Sequence, residues 1–346
     1  MNPILESDFK KLLGLPLPWE ELKGKRLFIT GATGFIGGYI TKGLAWLNHQ
    51  LSLNLTLGLL HRSGTQPPFT DPCIEWISGD ISANFIPEYF KPDIIIHAAS
   101  PANRQVISSN PCDVISCNIL ATRYLLEVAR KYQSCFLFFS SGDVYQRQPG
   151  RIMEKSAESL ARDSLHTFYG DNKLAGELLC EQYREIYGVQ SCILRPFSIF
   201  GPGESLASGR CFTDFARQAL KIHRIQVHSS GTQIRSFCYL FDFMTGLLYV
   251  LLRGKSTVYN IGNEDNTCSI LELAKTMAEI CGSTEVIGPL STNKEIDSFV
   301  PDTARLRQLG WKPQVDLSAC IQRCLDSYRY ADSRTGWMPE MWCGNN

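Results

Sequence analysis

Up to residue 195, short runs that are apolar at nearly every position alternate with longer stretches whose apolar residues recur every three or four places. Residues 26–30 are the first such run and predict a buried strand. A glycine-rich turn comes directly after it, Gly31-Ala32-Thr33-Gly34-Phe35-Ile36-Gly37, and then Ile36, Ile40, Leu44 and Leu47 keep helical spacing. The same patterns predict strands at 53–60, 75–78, 93–100, 135–139 and 191–195, and helices at 111–131 and 169–187. In the last helix Leu174, Leu178 and Ile186 are expected to face the core. Strands that are apolar on both faces belong in parallel sheets covered by helices on both sides. The expected fold class is therefore α/β, with a doubly wound parallel sheet.

Beyond residue 195 the texture changes. Residues 196–203 read as a loop, and the chain after them mixes short strands with helices such as 211–220 and 270–281. A smaller mixed α/β lobe is expected from 196–230 and 265–330, beside a sheet domain of 24–195 and about 231–264. Residues 1–23 read as an N-terminal extension with one short helix on the surface, and 331–346 as a C-terminal tail.

Composition narrows the partners. Lys plus Arg equals Asp plus Glu, 34 each, so no overall field points to nucleic acid or an anionic membrane. The 13 cysteines are odd in number and never fall in a C-x-x-C pair, which predicts free thiols in a reducing compartment rather than a disulfide framework. Residues 1–24 lack the apolar core of a signal peptide, and 241–252 is too short to span a bilayer and contains Asp242. A cytoplasmic protein is expected. Six histidines without ligand spacing give no case for a metal.

The candidate chemistry begins at the glycine turn. Glycines let a backbone approach phosphates closely, and a helix N-terminus offers free N–H groups and a partial positive charge, so strand, glycine turn and helix together suit a dinucleotide pyrophosphate. The second strand runs into His61-Arg62-Ser63-Gly64, with no carboxylate for the adenosine ribose. An Arg at that point tolerates a 2′-phosphate, so the cofactor is read as NAD or NADP with a lean to NADP. The small residues Ala98 and Ala99 suit a backbone lying against that cofactor. Ser141 and Asp143 come just after a strand end, where they would either touch substrate or cap the next segment. Tyr169 and Lys173, four apart on a helix, share a face, and the ammonium would favour the phenolate.

Taken in series, Gly31-x-x-Gly34-Phe35-Ile36-Gly37, Gly79-Asp80-Ile81, His97-Ala98-Ala99-Ser100, 140–145, Tyr169-x-x-x-Lys173, Arg195-Pro196 and Gly201-Pro202-Gly203 resemble the extended short-chain dehydrogenase/reductase superfamily over about 24–330. Stretches 208–220 and 230–242, with 99–102 and 309–313, are similar to UDP-glucuronate decarboxylases. The resemblance implies a Rossmann-type cofactor domain and a nucleotide-diphosphate sugar as substrate. It implies Tyr169 as acid/base with Lys173, Ser141 and Asp143, and cofactor contacts at Gly31, Thr33, Gly34, Phe35, Ile36, Gly37, Arg62, Asp80, Ile81, Ala98, Ala99, Ser100, Asn118 and Lys173. Substrate contacts are implied at Pro101, Ser198, Arg210 and Arg235, the last as a bidentate clamp on the diphosphate. A homodimer through 112–131 and 169–187 is implied as well.

The shared first step would be oxidation at the sugar C4. Decarboxylation, 4-epimerisation or 4,6-dehydration would come next, all redox-neutral, with an NADPH-dependent ketosugar reductase as a further alternative. A free phenol ionises near 10, so work near neutrality calls for a downward shift of roughly 3 units from Lys173 and the nicotinamide charge. The chain departs from the family pattern at Asp143, commonly Glu, at Ser198, commonly Asn, at Asn172, commonly Ser or Thr, and at Gln146, commonly Gly. One dehydratase branch carries an Asp acid where Gly142 stands here.

Overall fold

The structure, a computed structural model, describes residues 2–61, 69–81, 86–102, 104–156, 165–255, 258–290 and 297–335. Seven strands, β1 (Arg26–Thr30), β2 (Thr56–His61), β3 (Ile74–Ser78), β4 (Ile94–His97), β5 (Cys135–Phe139), β6 (Ser191–Pro196) and β7 (Val258–Ile261), form one parallel sheet in the order β7-β6-β5-β4-β1-β2-β3. The order reverses between β1 and β4, and it is outside the carboxyl ends of strands at such a switch point that open α/β sheets bind ligands.

The central strands are largely apolar because both faces are covered. Leu27, Ile29, Ile96, Leu137, Phe139 and Leu194 point into one core, and the alternating Phe28, Ile95, Phe136, Phe138 and Ile193 into another. The first core is closed by α1 (Pro3–Leu12), α2 (Phe35–Leu51) and, later in the chain, the helix Leu240–Arg253. The second is closed by α3 (Ala121–Tyr132) and α4 (Leu165–Tyr187). Among the described residues no helix is long and apolar enough to cross a membrane.

Two expectations fail on which face is buried. Leu174 of α4 is buried as expected, but Leu178 and Ile186 are 59% and 63% exposed. The inward stripe of α4 is instead Lys173, Glu177, Cys180 and Tyr183, because the helix must present polar groups to the ends of the strands. The N-terminal segment does form a helix, capped by Asn2, which accepts from the Ile4 N–H, but one face of it is sunk in the core while Ser7, Lys10 and Lys11 on the other stay exposed. Phe9 and Leu12 are fully buried, and so is Asp8. Its carboxylate accepts from Tyr39 at 3.1 Å and Tyr239 at 2.9 Å and pairs with Arg323 of the C-terminal helix Leu317–Thr335. Three donors from three elements are what make a buried acid tolerable there.

The lobe is built on a four-stranded sheet of Thr267–Ser269, Ile234–Ser236, Ser298–Pro301 and Arg151–Ile152, in that order. Residues 234–236, expected from the sequence in the sheet domain, pair in this sheet and not in the seven-stranded one. The turn before them is tied to the next helix, with Leu271 N–H donating to Gly231 and Ile270 N–H to Gln233, and this carries the strand away from the main sheet.

Candidate active site at the strand ends

The glycine turn is shaped by close approach. Gly31 has φ 72°, and a β-carbon there would stand 2.7 Å from the Ala99 nitrogen; one on Gly37 would run into the Gly31 carbonyl. Gly34 N–H donates to Gly31 O at 3.0 Å and starts α2 with no capping side chain. The first-turn amides of Phe35, Ile36 and Gly37 are therefore left for an anion to accept from, while the Phe35 and Ile36 side chains pack on the core and Thr33 stays half-buried in the turn.

A relay of hydrogen bonds sets the Ala98-Ala99-Ser100 loop against this turn. His97 Nε2 lies 3.0 Å from the Cys117 carbonyl, which can only accept, so the ring proton is assigned to Nε2. Nδ1 then accepts from Thr30 at 2.7 Å, leaving the Thr30 oxygen to accept from Ala99 N–H at 3.2 Å. Burial, helped by the Lys173 charge, pushes His97 down to about 3, so the ring stays neutral. Cys117 Sγ reaches the Ala99 carbonyl at 3.3 Å. Neither Thr30 nor Cys117 stands out in the sequence; the apolar strand ending in a lone His was the available signal.

Residues Ser116–Leu120 form one turn of π-helix ahead of α3, a feature that recurs at functional sites. It carries Asn118, fully buried, whose Nδ2 and Oδ1 both lack a partner among the described residues. Such an amide is costly unless a ligand supplies the bonds. The glycine cradle and Asn118 together fit a nicotinamide dinucleotide. Arg62 lies outside the described residues. Asp80 is exposed just after β3, and Ile81 buries its side chain in the second core, leaving only its backbone for a ligand.

Tyr169 and Lys173 stand on α4, a turn in from its start. Lys173 is 1% exposed, donates to the Phe139 carbonyl at 2.7 Å and lies over the rings of Phe138 and Tyr169 at 5.1 and 5.7 Å. Burial pushes it down to about 8. The phenol of Tyr169 goes against the expected direction: burial and then the Asp143 charge raise it, against a hydrogen bond with Ser100. In the protein alone Tyr169 is therefore a neutral proton donor and acceptor.

The reaction turn Gly142–Val144 meets this pair through missing side chains. A β-carbon on Gly170 would stand 2.5 Å from the Asp143 carbonyl oxygen, and one on Gly176 would strike Phe138. Ser141 does cap the turn: its Oγ accepts from Asp143 N–H at 3.1 Å and donates to Asp143 Oδ2 at 3.3 Å. A side chain on Gly142 would stand 2.6 Å from the Phe299 ring, so an acid has no room there.

Beneath the turn, Glu177 takes Arg195 Nε at 2.8 Å and Nη2 at 2.5 Å and also accepts from Ser140. This buried pair ties β5, β6 and α4 together one helical turn from Lys173. Glu177 is not among the residues expected from the sequence, although an acid four positions after Lys173 was visible there.

On the lobe side Arg210 sends Nη1 to the Ile199 carbonyl at 2.6 Å and to buried Glu204 at 2.9 Å. Arg235 bonds the Ile234 and Asp297 carbonyls at 2.8 and 3.0 Å and the Asp297 carboxylate at 2.5 Å. Asp297 lies 4.0 Å from Arg147, which reaches Asp143 at 3.4 Å. The cofactor side and the lobe are thus joined by alternating charges, with Arg147 and Asp297 unforeseen from the sequence. Ser198 sits at φ 42° with its carbonyl accepting from the Cys238 N–H, and Pro101 comes after the cofactor loop, its carbonyl 3.5 Å from Ser100 Oγ.

A doubly wound sheet with a dinucleotide cradle and a buried Tyr–Lys pair defines a nicotinamide-dependent enzyme class. Residues 27–262 match the NAD dependent epimerase/dehydratase family, and the chain belongs to it. It is 27% identical over 310 residues to UDP-glucuronic acid decarboxylase 1 of Xenopus tropicalis, covering 88% of this chain and 72% of that one. The fold resembles UDP-glucose 4-epimerase of Thermotoga maritima, solved with UDP-glucose, at TM-score 0.76 and 20% identity, over 88% of this chain and 99% of that one. It also resembles UDP-glucuronic acid 4-epimerase of Bacillus cereus, solved with a fluorinated UDP-glucuronic acid and NAD, at TM-score 0.73 and 23% identity, over the same shares.

Proposed function

We propose that the protein converts UDP-glucuronate to a UDP-pentose through a transient 4-keto sugar, with no net change in its cofactor. The observation that carries this is the Tyr169–Lys173 pair packed by Gly170 against the Ser141 turn, with Arg210 and Arg235 across from it. Tyr169 takes the proton of the C4 hydroxyl, and Ser141 holds the same oxygen in line. A bound oxidised nicotinamide supplies the hydride acceptor and a positive charge, held by the glycine turn, the 98–100 loop and Asn118. Lys173 keeps a cation beneath the phenol while it moves the proton. The resulting ketone lies β to the C6 carboxylate, so carbon dioxide leaves into an enolate that Tyr169 stabilises by hydrogen bonding; a proton added at C5, return of the hydride to C4 and return of the Tyr169 proton to the C4 oxygen then give the pentose with the cofactor as it began. Arg235 takes the diphosphate in place of Asp297.

Relatives named UDP-glucuronic acid decarboxylase support this outcome. Dehydration is disfavoured by the lack of room for an acid at Gly142. A 4-epimerase of the same substrate is the second reading. It is favoured by Asp143, one methylene shorter than Glu and engaged by Ser141 and Arg147, which shortens its reach to C5.

We read the cofactor as NAD or NADP, with a lean to NADP because β2 ends at His61 without a carboxylate to exclude a 2′-phosphate. A homodimer is supported by exposed Ile115, Leu120, Leu178 and Ile186 on neighbouring helical segments. The cysteine pattern favours the cytoplasm.

Mass spectrometry of the purified enzyme with UDP-glucuronate tests the reading. Release of carbon dioxide and a UDP-pentose without consumption of cofactor is expected. Recovery of UDP-glucuronate unchanged, or full turnover in Tyr169→Phe, overturns it.

A further inference from the structure

We infer that Asp8 of α1 is a positioning residue for the nucleotide end of the substrate, acting through Arg210. The inference rests on the reading of Arg210 as a contact to a nucleoside-diphosphate sugar and adds the elements that fix its side chain.

Arg210 stands at the N-cap of the helix Cys211–Ile222, with 43% of its side chain exposed. Two acceptors hold its Nη1, the Ile199 carbonyl at 2.6 Å and the Glu204 carboxylate at 2.9 Å. A guanidinium is planar, so pinning one corner to two acceptors sets the plane in which the rest of the fork meets an anion. Where those two acceptors stand therefore decides where Arg210 points.

Both acceptors are tied to Asp8, by separate routes. Tyr239 donates to Asp8 Oδ2 at 2.9 Å. It belongs to the strand Cys238–Tyr239, which pairs in parallel with Ile199–Phe200, Cys238 beside Ile199 and Tyr239 beside Phe200. That pairing places the Ile199 carbonyl. On the other route Asp8 pairs through Oδ1 with Arg323 of the helix Leu317–Thr335. The same helix is tied to the N-terminal segment again by Arg323 donating to the Ile4 carbonyl at 3.2 Å and by Asn2 donating to Ser327 at 2.9 Å. Five residues after Arg323, Tyr328 donates to the Glu204 carbonyl at 3.0 Å and so fixes the residue whose carboxylate takes Arg210.

Asp8, Tyr239, Glu204 and Tyr328 are each 5% exposed or less, so water offers no substitute for a lost bond. An amide cannot stand in for Asp8 either. The carboxylate uses Oδ2 for Tyr39 and Tyr239 and Oδ1 for Arg323, whereas an amide has one acceptor oxygen and would turn its NH2 toward a donor.

Calorimetric binding of UDP, NAD and NADP to the wild-type protein, Asp8→Asn, Tyr239→Phe and Tyr328→Phe tests this without requiring turnover. Tyr239→Phe and Tyr328→Phe each cut one route and spare the bond between Asp8 and Tyr39 of α2. Each should weaken UDP binding by roughly threefold to tenfold, the worth of one hydrogen bond, and leave dinucleotide affinity as it is. Asp8→Asn cuts both routes and should weaken UDP binding by more than either. Combined with Arg210→Gln, none of the three should cost UDP anything further, a coupling that a merely structural role would not produce. UDP affinity unchanged in both Tyr→Phe variants, a parallel loss of UDP and dinucleotide binding in them, or the same loss with Arg210→Gln in place overturns the role of Asp8. Failure of the wild type to bind UDP overturns the nucleotide-sugar reading instead.

Discussion

Gly170 meets Asp143 so closely that a β-carbon on it would stand 2.5 Å from the Asp143 carbonyl oxygen. That clearance puts the helix bearing Tyr169 directly on the turn bearing Ser141. Gly170→Ala must push the two apart. The expected result is a loss of about 1–3 kcal/mol of stability from overpacking and roughly a hundredfold loss of kcat from a displacement near 1 Å. Thermal unfolding and initial rates check both.

Glu177 holds Arg195 and Ser140 in a site that is almost closed to water. Glu177→Ala takes the carboxylate away from a buried guanidinium that keeps its bond to the Glu154 carbonyl, and the expected cost is about 3–5 kcal/mol in denaturant unfolding. Glu177→Gln keeps the shape and one acceptor and should lose less.

Ser198 occupies the left-handed region at φ 42°, where a side chain is strained and Asn or Gly is at ease. Ser198→Gly is expected to stabilise the protein by about 0.4–1 kcal/mol, and Ser198→Val to destabilise it, in equilibrium unfolding.

His97 gives the protein an acid limit. Its folded value of about 3 lies below the ordinary 6.5, because burial and the Lys173 charge disfavour the imidazolium. Below 6.5 the unfolded chain binds a proton that the folded one refuses, so this contribution is complete above 6.5 and is lost as the pH falls. By about pH 5 the loss should reach about 2 kcal/mol. Stability profiles of wild type and His97→Asn should converge by that amount between about pH 7 and about pH 5.

Leu178 and Ile186 place apolar surface on the outside of α4. If a second copy covers it, Leu178→Asp should halve the mass seen by light scattering while the fold, monitored by circular dichroism, persists. An unchanged mass counts against this face as the dimer contact.

How much of this was legible in the chain differs by element. The strand runs at 26–30 and 135–139 and the helix at 270–281 were readable because periodicity and burial agree there. The α4 helix was readable as a helix but not as to its face. Its inward stripe holds Lys173 and Glu177, so hydrophobicity pointed to Leu178 and Ile186, which are exposed. The N-terminal helix was misplaced for the same reason, since Asp8 gives it a polar look that only Tyr39, Tyr239 and Arg323 explain.

The alternation of strands and helices, the glycine turn and the Tyr169–Lys173 spacing are written in the chain itself, because backbone sterics and side-chain period act within a few residues. The direction of the Tyr169 shift, the hydrogen-bond relay through His97 and the line of charges from Asp143 through Arg147 and Asp297 to Arg235 exist only in the folded molecule. Desolvation and ion pairing depend on which surfaces meet, and groups as far apart in the chain as Asp143 and Asp297 meet only when the lobe folds over the strand ends.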